Sequence, residues 1–377
     1  MADPKSTDEF LNLPIAFVLT DHMQLPDMEA IARALRIRHP ALEVEVCDCG
    51  ADRAGGSLIR CGGEFITIMA MPGPVLPYMS DPAWTRASGY WPQAQDRAAA
   101  GRGRGHVIIT PIGTPASRLQ TTRILTAVTG AVIASTPECR AVVWDGRMVR
   151  SAGAWLQLSE SAFVRYPDYP ITGWIDIVPF RSGAMLGAVT MGLSRFVNRE
   201  IEFEATNWDI GNVLEKVAGL AAYLTEHGDV VRDGHTIGCS EEERLTVRHT
   251  TSTRFAGLPI LHAADGAPAS GRFAHSLKQL FQPRAITDLG RFPTDQQAAA
   301  FVGMPPHDGG ILSSYIDGVR GVIGRMLRLP ECQHAHTDAD ARNRLAAEVR
   351  EFEASMQHAL VNQRLFAFYP PHQEAAS

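Results

Sequence analysis

The sequence predicts an α+β fold made of two tandem related α/β modules and a helical C-terminal extension. Three observations support this prediction: a β-α-β pattern opens the chain, an order of strand, helix, Asp-Gly hairpin and helix occurs twice, and helical patterns dominate after residue 265. The 377 residues, 45% of them hydrophobic, are enough for two or three domains with cores of their own.

The first module begins with a predicted strand at 15–19, a helix opened by Pro26 and a second strand at 42–46. The predicted core face of this helix consists of Met28, Ile31, Ala32, Leu35 and Ile37. Strand and helix patterns thus alternate from the start of the module.

A hairpin and a long helix complete the elements predicted for the first module. The strands 57–60 and 64–69 flank the pair Gly62-Gly63, which predicts a hairpin. A strand at 106–110 precedes a helix with Thr114 as its N-cap, which runs to about residue 134.

Two segments share one pattern, Val-Val-x-Asp-Gly-x-x-Val/Ile, at 142–149 and 230–237. Asp-Gly between two β-type runs is typical of a two-residue type I′ hairpin. The second copy follows a strand at 200–204 and a helix over 208–226, opened by a capping box of Thr206 and Asp209. We therefore predict an internal duplication with a ferredoxin-like order of strands and helices.

The predicted boundaries follow from this duplication. A disordered lead covers 1–11, the first module 12–160, the second module 161–265 and the helical extension 266–377. The extension is expected to pack on the α+β core, with oligomerisation through its helices as the second interpretation. Side by side, the two modules would leave a cleft between them.

Charge and hydropathy exclude several classes of protein. Lys and Arg total 35 against 41 Asp and Glu, and the net charge of -6 argues against nucleic acid or an anionic membrane as a partner. The longest apolar run, 124–134, is shorter than the roughly 20 residues that span a bilayer. The first ten residues lack the charge pattern of a signal peptide. We expect a cytoplasmic protein.

The run from Asp233 to Glu243, continued by Val247-Arg248-His249, resembles the segment near the end of a bacterial domain, domain of unknown function 4261 (DUF4261). Trp91-Pro92 and the strand 106–110 resemble the N-terminal part of proteins that carry this domain. The resemblance covers about 12–265 and implies an α+β fold in a bacterial, intracellular protein. It implies no activity, because the family offers no catalytic residues to transfer.

A long segment rich in proline and aromatic residues, 71–105, is a candidate contact surface. Four large rings next to an Arg-Gly loop suit a protein or ligand interface, although a loop that fills the core is the alternative. The candidate binding residues in and beside this segment are Tyr78, Trp84, Tyr90, Trp91, Arg102, Arg104 and His106.

A second candidate site surrounds the second Asp-Gly turn. Arg232 and His235 flank this turn, and Arg248 and His249 follow one short element later. Together they could form a polar site with a histidine as acid or base, or they could be turn and cap residues of a surface.

Two groups of residues are weak metal candidates. Cys332, His334, His336 and Asp338 have a spacing found in binuclear hydrolases, but an N-cap preceded by loop histidines explains this segment more simply. Cys47, Cys49 and Cys61 lack an evident fourth ligand, so buried structural thiols are the simpler interpretation.

We therefore predict a protein that acts by binding rather than catalysis, without a cofactor. Its partner is expected to be another protein or a small ligand, held by the aromatic segment and the cleft between the modules. The alternative is a metal-dependent hydrolase that uses the cluster from Cys332 to Asp338, or an acid-base site formed by His235 and His249.

Overall fold

The computed structural model describes most of the first 264 residues and one long helix near the C-terminus. The described residues are 13–22, 27–47, 58–72, 104–112, 117–145, 148–205, 208–237, 245–255, 257–264, 319, 335 and 338–361. They divide into two compact units, of which the second contains 163–264 and the first contains the rest. Each unit has its own β-sheet and helices, which confirms the predicted α+β class.

Seven antiparallel strands form the sheet of the first unit: β1 (Ala16–Thr20), β2 (Val44–Val46), β3 (Leu58–Cys61), β4 (Glu64–Pro72), β5 (Gly105–Ile112), β6 (Cys139–Trp144) and β7 (Met148–Ser151). Their order is β2-β3-β4-β5-β1-β6-β7. β1 and β5 are buried at every position, which explains why their sequences are apolar almost throughout instead of alternating.

Two hairpins of this sheet are confirmed. Gly62 and Gly63 join β3 to β4 with φ angles of 55° and 86°, in the left-handed region that glycine reaches without strain. β6 pairs with β7 where the Asp-Gly hairpin is predicted, but Trp144 pairs with Met148, so three residues join the strands instead of the two of the predicted type I′ turn. Asp145 has a positive φ of 53°.

Three helices of the first unit pack against one another: α1 (Met28–Arg38), α2 (Arg118–Ser135) and α3 (Ala152–Glu160). At Gly130 the helices approach so closely that a Cβ atom would lie 2.1 Å from Ser159 Oγ. Arg38 donates hydrogen bonds to Ser159 Oγ at 2.9 Å and to the Leu156 carbonyl at 2.6 Å. This arginine therefore links the end of α1 to α3.

Two details of these helices correct the sequence prediction. Ile37 is 74% exposed, because it lies two positions after the buried Leu35 and therefore about 200° further around the helix. α2 begins after Ser117, whose Oγ accepts the Gln120 N–H, so the predicted N-cap was three residues too early. Thr114 itself lies outside the described residues.

The second unit contains a six-stranded mixed sheet: β8 (Asp176–Ser182), β9 (Met185–Met191), β10 (Glu200–Ala205), β11 (Thr236–Ile237), β12 (Leu245–Thr251) and β13 (Pro259–Ala264). Their order is β11-β12-β13-β10-β9-β8, and β10 and β13 form the parallel pair. The sequence predicts β10 near its observed bounds and a β segment that includes β11, but it predicts no strand at β8, β9, β12 or β13.

Two helices belong to the second unit: α4 (Ser194–Val197) and α5 (Ile210–His227). Asp209 is the N-cap of α5 and accepts the Asn212 N–H at 3.0 Å, so the cap lies three residues after Thr206, where the predicted capping box places it. Thr206 itself lies outside the described residues. α5 contacts β8, β9 and β10, and it packs on the face that carries Ile201 and Phe203. The opposite face of β10 therefore presents Glu200, Glu202 and Glu204.

The predicted second hairpin is wrong. Val230 and Val231 form no strand, and after the turn at Asp233-Gly234 the short β11 pairs with β12 instead. The Gly234 N–H donates to the Val247 carbonyl at 2.8 Å, so β12 supplies the hydrogen bonds that a hairpin partner would have made. The two Asp-Gly turns thus join different structures, and the predicted tandem duplication is not confirmed.

A last helix, α6 (Ala339–Val361), belongs to the first unit and packs against β4. β3 pairs with β4 only as far as Thr67, so the backbone of Ala70 lies beyond the end of β3. There Glu353 Oε1 accepts the Ala70 N–H at 3.0 Å, and Gln357 Nε2 donates to the Ala70 carbonyl at 2.6 Å. Two side chains of α6 thus satisfy backbone groups that an additional strand would satisfy.

Among the described residues, no helix is both long and apolar enough to cross a membrane.

Candidate functional site

The second unit contains a cavity of about 570 Å³ beside α5. This volume lies in the range typical of small-molecule sites in proteins. Its floor includes Ile201 and Phe203 of β10, Ile237 of β11 and Leu245 of β12. The cavity is therefore built on the apolar face of the sheet, next to the strands that α5 covers.

One side of the cavity is formed by α5 itself. Glu215, Gly219 and Ala222 follow one another at spacings of four and three, which places them on one face of the helix. Gly219 is open toward this space, since a Cβ atom added there would have no neighbour within 4 Å. The missing side chain therefore leaves room one turn away from the Glu215 carboxylate.

The rim of the cavity is unusually apolar for a protein surface. Among the described residues, five large apolar side chains are exposed, and three of these line the cavity: Tyr166 (38%), Tyr223 (39%) and Val230 (44%). The rings of Tyr166 and Tyr223 both contact His227, at centroid distances of 5.6 and 4.6 Å. Exposed apolar groups that cluster around a cavity are typical of a binding site.

Four ionisable groups other than the tyrosines line the cavity: Asp168, Glu215, Lys216 and His235. The His235 Nδ1 accepts the Arg232 N–H at 3.2 Å, so in the neutral imidazole the proton lies on Nε2. Asp168 and Lys216 each interact with other groups of the protein. The Glu215 Oε1, in contrast, is buried without a hydrogen-bond partner.

The structure brings the residues of the second predicted site together. Asp233 accepts the His249 N–H with Oδ1 at 2.8 Å, and its Oδ2 lies 3.7 Å from the Arg248 guanidinium. Arg232 and His235 are joined by the hydrogen bond at the same turn. Of these residues, His235 also lines the cavity, so its side chain belongs both to the turn and to the cavity wall.

Most of the predicted aromatic surface lies outside the described residues, namely Tyr78, Trp84, Tyr90, Trp91 and Arg102. Arg104 is exposed, and its N–H donates to the Thr20 carbonyl at 2.9 Å. His106 lies in the interior: it is 2% exposed on β5, and its ring is 6.1 Å from the ring of Phe17. Its place in a buried strand makes it a core residue rather than part of a contact surface.

The residues of the predicted metal sites have structural roles where they are described. Asp338 Oδ1 accepts the Asp340 N–H at 2.9 Å and so caps α6, while Cys332, His334 and His336 lie outside the described residues. Burial raises the pKa of the Cys61 thiol to about 12, which keeps it protonated. Within the described part of the chain, no three His, Cys, Asp or Glu side chains are grouped to hold a metal ion.

A charged network lies on the other face of the second unit's sheet. Glu202, 2% exposed, accepts a hydrogen bond of 2.5 Å from Ser252 Oγ and lies 3.9 Å from Arg254. Arg254 also pairs with Glu204, which lies 3.5 Å from His262 Nε2. The hydrogen bond between Glu204 and His262 raises the pKa of the imidazole and lowers the pKa of the carboxyl.

This network predicts a pH dependence of stability in the second unit. The raised pKa of His262 adds stability that is complete below the ordinary value of 6.5 and is lost as pH rises through the folded-state pKa. The lowered pKa of Glu204 adds stability that is complete above 4.5 and is lost at lower pH. The pair therefore stabilises the unit most between pH 4.5 and 6.5, by about 1 kcal/mol.

Urea denaturation at a series of pH values checks this prediction. In the wild type, the free energy of unfolding should fall as pH rises above 6.5, because His262 then loses its proton. We expect this fall to be smaller in His262→Gln and in Glu204→Gln. The double variant should show the same fall as the single variants, because either substitution already breaks the pair. Glu202 and Arg254 also face His262 electrostatically, so the cycle isolates the contribution of Glu204. An unchanged pH profile in His262→Gln would contradict the assignment.

A second buried carboxylate organises the turn before β10. Glu200, 1% exposed, accepts hydrogen bonds from Thr190 Oγ1 and from three successive backbone N–H groups, those of Gly192, Leu193 and Ser194, at 2.7 to 3.1 Å. These donors include the first turn of α4. All of the carboxylate's contacts are within the fold, which makes Glu200 a structural residue.

The segment that carries both buried carboxylates and most of the cavity wall also matches a known family. Residues 189–257 match the family model of Domain of unknown function (DUF4261). The predicted resemblance is confirmed over this segment, which is shorter than the 12–265 expected from the sequence. Searches of curated proteins and of solved structures find no significant match.

The DUF4261 match runs from β9 to the loop after β12. It includes Glu200, Glu202 and their hydroxyl partners Thr190 and Ser252, as well as Glu215 of the cavity. Sequence reasoning missed Glu215, since a single glutamate on an amphipathic helix carries no local signal. It also missed the alternation of Glu200, Glu202 and Glu204, whose spacing of two on a predicted strand indicates one polar face.

Proposed function

We propose that this protein acts by binding, and that the cavity beside α5 is its ligand site. The observation that carries the proposal is the coincidence of a largely apolar, partly open cavity with exposed apolar side chains at its rim. Exposing Tyr166, Tyr223 and Val230 to water is unfavourable, and a ligand that covers them recovers this free energy.

Catalysis is less well supported by the described residues. The ionisable groups at the cavity lie on three separate segments: α5, the turn before β11 and the segment before β8. The polar residues at Asp233 form hydrogen bonds within a turn. Among the described residues, Asp338 belongs to no group of three possible metal ligands, and its side chain caps α6. A binding role needs none of these groups to react.

The wider setting is part of the same proposal. The resemblance to a bacterial family supports a bacterial cytoplasmic protein, and the partner is another protein or a small ligand. The duplication of two related modules, with oligomerisation through the C-terminal helices, remains a hypothesis about how such a protein arose and assembles.

A cavity-filling variant tests the proposed site. Gly219→Phe places a ring into open space, so we expect the fold to remain intact and the helix to be slightly more stable, since glycine is unfavourable in helices by about 1 kcal/mol. The probe is N-phenylnaphthylamine, a neutral dye whose fluorescence rises in apolar sites. We expect wild-type protein to bind one dye per chain and Gly219→Phe to bind it at least tenfold more weakly.

The matched control is Gly153→Phe on α3, in the other unit. Gly153 also has no neighbour within 4 Å of an added Cβ atom, but it does not line the cavity. This variant should bind the dye as the wild type does. Equal dye binding by Gly219→Phe and wild type, or no binding by either, would overturn the proposal.

A further inference from the structure

A row of aromatic side chains connects the rim of the cavity to the core of the second unit. Tyr223 and Tyr166, which line the cavity, both contact His227, at ring centroid distances of 4.6 and 5.6 Å. The ring of Tyr166 also lies 6.3 Å from that of Tyr169, which stacks at 5.3 Å on the buried Trp174. Other rings therefore support the two tyrosines at the rim.

The segment that carries Tyr166 is also bonded to α5. Tyr169 is buried, and its hydroxyl donates to the Ala222 carbonyl at 2.5 Å. Ala222 directly precedes Tyr223, so this bond holds the segment of Tyr166 to the turn of α5 that carries the other rim tyrosine. A ligand that contacts both rings immobilises little that is not already held, which lowers the entropic cost of binding.

The Tyr223 ring borders a space that lacks a side chain. Gly219 lies one turn before Tyr223 on α5, and a Cβ atom added to it would meet nothing within 4 Å. Helical side chains lean toward the N-terminus of their helix, so the Tyr223 ring lies over the turn that contains Gly219. Phe203 adds a further ring on the floor. Aromatic rings thus contribute to both the rim and the floor of the cavity.

The wall of the cavity gives a charged ligand little to pair with. Asp168 and Lys216 have opposite signs, and each already has an interaction within the protein. The Oε1 of Glu215 is buried beyond the reach of a ligand, and His235 uses its Nδ1 as an acceptor within its own turn. An ionised ligand would lose hydration here without gaining an equal replacement, whereas a neutral ligand avoids this cost.

We propose that the cavity binds a neutral, flat aromatic molecule, which packs against the rings of Tyr166 and Tyr223 while the rest of it covers the apolar floor. This proposal rests on the proposed function and names the class of its ligand. A saturated molecule of equal size covers the same apolar surface, but it lacks the quadrupole that makes contacts between aromatic rings favourable. The cavity therefore distinguishes ligands of equal size by their aromaticity.

Displacement of N-phenylnaphthylamine from the full-length protein tests this specificity. The competitors 2-naphthol and decahydro-2-naphthol share one bicyclic carbon skeleton and one hydroxyl group, and they differ in the saturation of the rings. We expect 2-naphthol to displace the dye at about one tenth of the decahydro-2-naphthol concentration, since each of two ring contacts contributes about a factor of three. The anion 2-naphthoate and the cation 2-naphthylmethylammonium should both compete more weakly than 2-naphthol.

Two substitutions locate the effect at the rim. Tyr223→Leu and Tyr166→Leu keep an apolar side chain at an exposed position, so the fold should be retained. Each should reduce the advantage of 2-naphthol to about threefold, while decahydro-2-naphthol competes as before. Tyr223→Phe is the matched control, because it keeps the ring and removes only the hydroxyl group. It should retain the tenfold preference.

The outcomes separate this preference from the function on which it rests. If the wild type binds the dye and Gly219→Phe does not, but the two naphthols compete equally, the ligand site stands and the aromatic preference is overturned. A preference that is unchanged in both leucine variants, or a charged competitor stronger than 2-naphthol, overturns it as well. If the dye does not bind to the cavity at all, the proposed function and the aromatic preference fail together.

Discussion

Replacement of Gly187 by alanine is expected to destabilise the second unit by about 3 kcal/mol, the upper end of what overpacking typically produces. Gly187 lies in β9 opposite Phe180 of β8. A Cβ atom at this position would lie 2.4 Å from Phe180 Cζ and 2.5 Å from the Phe203 carbonyl oxygen. The ring can shift, but the carbonyl belongs to the neighbouring strand and cannot move without breaking the sheet.

Hydrogen exchange of peptides from β8 to β10, combined with urea denaturation, measures this effect in the unit that contains the substitution. Phe180→Leu in the Gly187→Ala background should restore only part of the stability, because the contact with the Phe203 carbonyl remains. Gly219→Ala is the control, since the same change on α5 meets nothing within 4 Å. A loss below 1 kcal/mol in Gly187→Ala would show that the sheet accommodates a side chain there.

Glu200→Ala is expected to cost a similar amount, about 4 kcal/mol. The substitution leaves four donors without their acceptor, in a place where Glu200 itself is 1% exposed. Each unsatisfied buried donor costs about 1 to 3 kcal/mol, although relaxation of the turn and entry of water reduce the sum. The N-terminus of α4 should lose its protection first, because two of the donors belong to the turn that leads into it.

Glu200→Gln separates the contribution of the negative charge and second acceptor oxygen of Glu200 from that of its side-chain shape. Glutamine keeps one acceptor oxygen, but its NH₂ group would face the backbone donors, so we expect it to recover less than half of the loss. The measurement is hydrogen exchange at 192–198 together with the urea midpoint of the unit. Stability of Glu200→Gln equal to wild type would show that a neutral acceptor suffices.

Local signals in the sequence were enough to predict the elements that local chemistry determines. Gly62-Gly63 and Asp145 occupy turns where φ is positive, and α5 begins within two residues of its predicted start, although its cap is Asp209 instead of Thr206. The pattern around Asp233-Gly234 contains the same turn residues, yet its partner is β12 rather than the preceding valines. Turn chemistry thus predicts that the chain reverses, and the strand that pairs with it depends on contacts elsewhere.

The candidate site could be predicted only in part, because its members come together through distant contacts. His235 was singled out beside its turn, and it does line the cavity. Glu215 and Gly219 are part of the site only because α5 and strands up to about thirty residues away in sequence enclose a space between them. Ile37 was assigned to the wrong face of α1, since an error of one or two positions in the helical repeat is enough to move a residue from the buried face to the exposed one.

The contact between α6 and Ala70 has a consequence for the order in which the chain folds. Its two partners are 283 residues apart in sequence, and the whole described second unit is inserted between them. During synthesis, the sheet of the second unit is complete once residue 264 has left the ribosome, whereas the backbone of Ala70 waits almost a hundred residues longer for Glu353 and Gln357. The inserted unit is therefore able to fold first, and the unit into which it is inserted closes last.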